Sequence, residues 1–195
     1  MKKGESRMKR SIFTFLAVGL CVGLVGCKTK PNVESDKTMF DYMQEQVAKI
    51  SEKGGMASVG LAESKTIPVA ISKAKLAARK NLAQLVRIKI ENLEKSFVEE
   101  VGEARSSEMN ELFSSTTKQI TDQTLQGTLP KMQKYETKDG VTTAYVLMVL
   151  NPDVIDESLK NNNAKHMYER FRASKAFEEL DKDIKAYEAS ERGSP

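Results

Sequence analysis

The chain has 195 residues, with 31 Lys and Arg against 27 Asp and Glu, one histidine, two cysteines and no tryptophan. Its formal charge of +4 sits at the front: five basic residues and one acidic residue fall in residues 1–26, so the remainder carries 26 of each. A nucleic-acid surface built on net positive charge is therefore excluded for that remainder, which is long enough for one domain with a modest core.

The leader Met1 to Arg10 is basic, and Ser11 to Gly26 contains no charged residue. Such a run is shorter than the roughly 20 residues that span a bilayer, but it suits the apolar centre of a secretion signal. It ends in Leu24-Val25-Gly26-Cys27, which resembles a bacterial lipobox. In that motif the cysteine sulfur receives a diacylglyceryl group, the peptide before it is removed, and the new amino group takes an acyl chain. Cys21 lacks the small residue that should precede it, because Leu20 stands there. Cys21 would leave with the signal and Cys27 would carry lipid, so no thiol is left for a disulfide, a redox pair or a soft metal site. Two or more acyl chains hold a protein stably on a membrane where one binds marginally. No other cofactor and no metal is expected. Lys28 is unlike the aspartate that retains some lipoproteins at the inner membrane, which favours the outer membrane, with the leaflet open.

Lys28 to Lys37 is polar, contains Pro31 and reads as a flexible tether. Met39, Phe40, Met43, Val47 and Ile50 then recur at helical spacing until Gly54-Gly55. Met56 to Ala62 suits a short strand. Pro68 opens an alanine-rich helix through about Leu85, whose small residues let it lie close on a sheet. Val86 to Glu94 supports two readings. Val86, Ile88 and Ile90 alternate as a strand would, whereas Leu82, Val86, Ile90, Leu93, Phe97 and Val101 form a helical stripe. One helix from Pro68 to Val101 would be about three times the usual length, which favours the strand.

Glu103 to Gln126 resumes a helical pattern. Met132 to Thr137, a Lys138-Asp139-Gly140 turn and Val141 to Leu150 form a hairpin, since Asp-Gly between β-rich runs is a strong turn signal. Val154 to Lys160 supports a turn or two of helix, and Asn161 to Asn163 a break. Ala164 to about Ser190 reads as one long helix. On it Ala173, Phe177, Leu180, Ile184 and Tyr187 make a heptad-like stripe that either folds onto its own domain or contacts another subunit. Phe177, Leu180, Ile184 and Tyr187 are thus a candidate interaction face.

With the lipobox, the runs AKLAARKNLAQL (Ala74 to Leu85) and KYETKDGVTTAYVLMVLNPDVID (Lys134 to Asp156) resemble the Lpp-twenty family of bacterial surface lipoproteins, which includes a flagellar outer-membrane lipoprotein. The family's Ala-Arg-x-Asn-Leu-Ala is matched by Ala78, Arg79, Asn81, Leu82 and Ala83. Its Tyr, short turn and apolar strand are matched by Tyr135, Gly140 and Tyr145 to Leu150. The similarity runs over about residues 55–159. It implies an α+β domain with a helix over a small antiparallel sheet, in an envelope lipoprotein with a flagellum-associated or other assembly role.

His166 alone cannot make a histidine triad or a two-histidine metal site. Glu99, Glu100 and Glu103, and likewise Glu178, Glu179, Asp181 and Asp183, lie among lysines, where solvated faces and i,i+4 pairs are the default. Arg79 and Asn81 suit structural roles, as an ion pair and a backbone tie. Phosphate-loop and nucleophile-elbow motifs are absent, so no catalytic residue is assigned and an enzyme is not expected.

The expected layout is a signal peptide over residues 1–26, a tether over 27–38, an α+β domain over 39–160 with a β-α-β-α-β-β core, and a long C-terminal amphipathic helix within 161–195. The expected function is a non-enzymatic lipoprotein with a protein-binding or self-assembling domain; the alternative is a monomeric module for a lipid, glycan or peptide.

Overall fold

Residues 38–102 and 106–193 are described by the computed structural model, and their first feature is a capping box. The Thr38 hydroxyl accepts from the Asp41 amide at 3.1 Å while the Asp41 carboxylate accepts from the Thr38 amide at 3.0 Å. Free N–H groups at the helix start are thereby satisfied, and α1 runs Met39–Glu52. Gly54, at φ 85°, turns the chain into β1, Met56–Ser64.

Two residues separate β1 from α2, Ile67–Val101, which carries Pro68 in its first turn and ends at left-handed Gly102. Then come α3 (Ser107–Gly127), β2 (Pro130–Lys138), β3 (Val141–Leu150), α4 (Asp153–Lys160), α5 (Lys165–Arg172) and α6 (Lys175–Arg192). Asp139 and Gly140, both at positive φ, make the two-residue turn between β2 and β3.

The sheet is antiparallel in the order β1-β3-β2, so β3 is central and β1 and β2 are edges. Alternation along β3 sends Ala144, Val146 and Met148 to one face, where they meet Ala70, Ala74, Ala78 and Leu82 of α2. Alanines at i, i+4 bring the helix axis close to the sheet. Gly60 on β1 permits this, because a Cβ there would strike the Ala74 carbonyl and the Ala78 amide. The Ser58 hydroxyl donates to the Ala78 carbonyl at 2.7 Å in the same seam. Tyr145 and Leu147 point to the opposite face, where Met43 of α1 covers them together with Ala57.

The α+β class is as expected, but the core holds three strands, and the strand anticipated at Val86 to Glu94 is helix. The stripe with period near four continues unbroken: Val86, Ile90, Leu93 and Phe97 are buried, while Ile88, which a strand would bury beside them, is 42 % exposed. Length misled here, because the second half of α2 has its own layer to cover. That layer contains Met109, Leu112, Phe113 and Ile120 from α3, Ile155 and Leu159 from α4, Met167 and Phe171 from α5, and Leu180 from α6. At its centre Phe171 stands edge-on to Phe97 and Phe113, with centroids 5.6 and 5.4 Å away.

The single helix expected over Ala164 to Ser190 is two. Ala173 ends α5, and the Ser174 hydroxyl accepts from the Phe177 amide at 3.3 Å to start α6 anew. The carboxylate of Glu100 on α2 also accepts from the Lys175 amide at 2.8 Å, placing negative charge at the α6 N-terminus. The segment over 161–195, expected to lie outside the 39–160 domain, therefore packs through Met167, Phe171 and Leu180 into the same core as α2, α3 and α4.

Candidate functional site

The lipid-attachment motif, Leu24, Val25, Gly26 and Cys27, lies outside the described residues, as do the rest of the signal, the tether before Thr38, and Glu103. Among the described residues no helix is long and apolar enough to cross a membrane.

The α6 stripe is placed where a side chain serves its own fold. Leu180 is fully buried, Ile184 and Tyr187 are each 8 % exposed, and half-buried Phe177 stacks edge-on against Phe171 at 5.7 Å under the Arg172 guanidinium. Of the two readings open for this stripe, the packing matches the intramolecular one. Phe177, Leu180, Ile184 and Tyr187 present little surface to a second chain.

The polar candidates are dispersed. Exposed His166 borders a shallow cleft with Glu108 and Glu111. Among the described residues no three His, Cys, Asp or Glu side chains are placed to share a metal ion. Glu99 faces Lys95 at 3.9 Å, Asp181 faces Lys185 at 2.5 Å, and Asp183 receives Lys89 of α2 at 2.7 Å, so these carboxylates meet lysines rather than one another. Glu178 and Glu179 are exposed. Arg79 donates through Nε and Nη2 to the Thr128 carbonyl at 3.3 and 3.0 Å. It thus ties α2 to the segment entering β2 by hydrogen bonds to backbone, in place of the expected ion pair. A groove of about 610 Å³ between α2 and α3 is lined by Arg87, Glu91, Asn92, Lys95 and Thr117. Its Arg87 and Glu91 form an exposed i,i+4 pair at 3.6 Å.

Two tyrosines are strongly perturbed. Burial, reinforced by the hydrogen bond and charge of Glu136, pushes Tyr145 up to about 12; its hydroxyl donates to Glu136 at 2.5 Å. Burial, with the bond to Asp156 at 2.9 Å, pushes Tyr168 up to about 12 as well. A phenol so shifted stays protonated and serves as a donor that stitches elements together.

The sheet edges differ in a way that concerns recognition. The two-residue turn makes Lys138 and Val141 a hydrogen-bonded pair, and alternation along an antiparallel ladder then turns the N–H and C=O of Gln133, Tyr135 and Thr137 outward from β2. The same alternation turns the Val59 carbonyl outward from β1. There Asn81 Nδ2 donates to it at 3.1 Å, so that carbonyl of the first edge is capped. No such cap meets the outward groups of β2 among the described residues, and every residue from Gln133 to Lys138 is exposed. An open strand edge is a template for another strand. The sequence signal was present in KMQKYETK, a strand with charge on it and few apolar residues, but edge position depends on strand order, which the chain order does not disclose.

Comparison of the chain with family models, with curated proteins and with solved structures returns no match.

Proposed function

We propose that this chain is a non-enzymatic bacterial envelope lipoprotein. In this reading it is held at the outer membrane by a diacylglycerol and an N-acyl chain on Cys27, and its α+β body presents a protein-binding or self-assembling surface. The reading is carried by one observation in the sequence: a basic leader and an uncharged run end in Leu24-Val25-Gly26-Cys27. Acyl chains there supply attachment without a peptide span. The segment between Cys27 and α1 is short. Even fully extended, at about 3.3 Å per residue, it keeps the body within a few tens of Å of the lipid.

The body supports an assembly role through the open β2 edge, while the α6 stripe is consumed by the fold. The resemblance of Ala74 to Leu85 and Lys134 to Asp156 to the Lpp-twenty lipoproteins makes a flagellum-associated or other envelope structure the first place to look.

Cys27→Ser tests the anchor. In the native host the unaltered protein should partition into the detergent phase and the variant into the aqueous phase with an unchanged melting temperature; equal partitioning of the two contradicts the reading.

A further inference from the structure

The open edge of β2 has a charge pattern that fits itself. The geometry points to a two-fold dimer in which β2 pairs antiparallel with β2 of a second copy, joining the two sheets edge to edge. This inference deepens the assembly reading above by naming the surface and the partner.

A two-fold axis normal to the sheet keeps each face of one sheet continuous with the same face of the other, so a residue can oppose only residues on its own face. On β2, Met132, Lys134, Glu136 and Lys138 share the α1 face, and Gln133, Tyr135 and Thr137 share the α2 face. Few registers satisfy this rule, and charge and ladder length separate them. An axis at Lys134 sets Lys134 against its own copy, and one at Glu136 sets Glu136 against itself and Lys134 against Lys138. At Gln133 no acid meets a lysine, since Lys134 faces Met132. At Thr137 Glu136 meets Lys138, but Asp139 and Gly140 of the turn stand opposite Tyr135 and Lys134, which cuts the ladder short.

With the axis at Tyr135, Lys134 opposes Glu136 on both sides, and like charges never stand opposite each other. In that register the outward N–H and C=O groups of Tyr135 exchange bonds with their copies, and those of Gln133 do so with Thr137, so the exposed backbone groups find partners. Opposite charges across a ladder stabilise, and like charges there destabilise.

The local structure is ready for this contact. Glu136 uses Oε1 to accept from Tyr145, which fixes the carboxylate on the sheet face and leaves its second oxygen for lysine. Lys134 makes no ion pair among the described residues. Tyr135, 54 % exposed, meets its copy across the axis. Leu129, 81 % exposed just ahead of β2, is carried toward the other copy's hairpin turn, where Val141 is 40 % exposed. On the β1 edge Asn81 already occupies the Val59 carbonyl, which interrupts the ladder a second strand would need there.

Charge reversal with rescue tests the dimer on the full chain in detergent, with protein mass read by light scattering against concentration. The unaltered chain should approach twice its denatured mass. Lys134→Glu and Glu136→Lys should each weaken the dimer about tenfold, since each turns both symmetry-related pairs repulsive. The double variant should recover to within about threefold. A chain that stays monomeric throughout overturns the dimer and the self-assembly arm of the proposed function together, leaving the anchor to its own test. Oligomers indifferent to the single reversals overturn the β2 joint alone.

Discussion

Tyr145 shows how one side chain can link layers. Its ring lies in the cluster beneath Met43 of α1, and its hydroxyl crosses to Glu136 on the neighbouring strand. Tyr168 does the same between α5 and α4 through Asp156. Burial and the adjacent carboxylates disfavour the phenolates, so both groups rise from 10.0 to about 12 on folding. Between those limits the unfolded chain loses protons that the folded chain keeps, and stability must fall as pH rises through that window. The contribution is fully present below pH 10. Urea midpoints should hold steady to about pH 9.5 and decline by pH 11. Tyr145→Phe combined with Tyr168→Phe should flatten that decline. A wild-type decline that the double variant leaves untouched would assign the effect to other groups.

At the level of elements, α2 decides the architecture. Its first half lies on the sheet through alanines, and its second half covers a helical layer, so one stripe from Ala70 to Phe97 serves two cores. Opposite outcomes at neighbouring isoleucines check this. Ile88→Lys should change stability by no more than about 0.5 kcal/mol, because the side chain is exposed. Ile90→Lys places an unpaired charge at a site 1 % exposed and should unfold the domain or cost at least about 4 kcal/mol. Equal damage at both sites would restore the strand. Elements with strong local signals were legible: the Asp139-Gly140 turn, the Gly54 stop, the alanine stripe and the Asn161 to Asn163 break each announce themselves through residue chemistry. Residues 86–94 were not, since alternation and a four-residue period coexist there and the layer that selects between them comes from α3 to α6. The break at Ser174 was hidden for a related reason. Serine caps a helix only when the chain has cause to turn, and that cause is the packing of Phe171 and Phe177 in one cluster. The free edge at β2 was equally unreadable, because it follows from β3 taking the central place.

Over the whole molecule, the proposed function needs lipid on Cys27, and the proposed dimer needs the open edge of β2. Zero net side-chain charge after Gly26 gives the body no general electrostatic hold on an anionic bilayer, so the proposed function assigns attachment to the acyl chains. Intact-mass spectrometry of the protein extracted from membranes of its native host tests this most directly. The expected mass is that of a chain that begins at Cys27 and carries a thioether-linked diacylglyceryl group and an amide-linked acyl chain. A free thiol at Cys27, or residues 1–26 still attached, would contradict it.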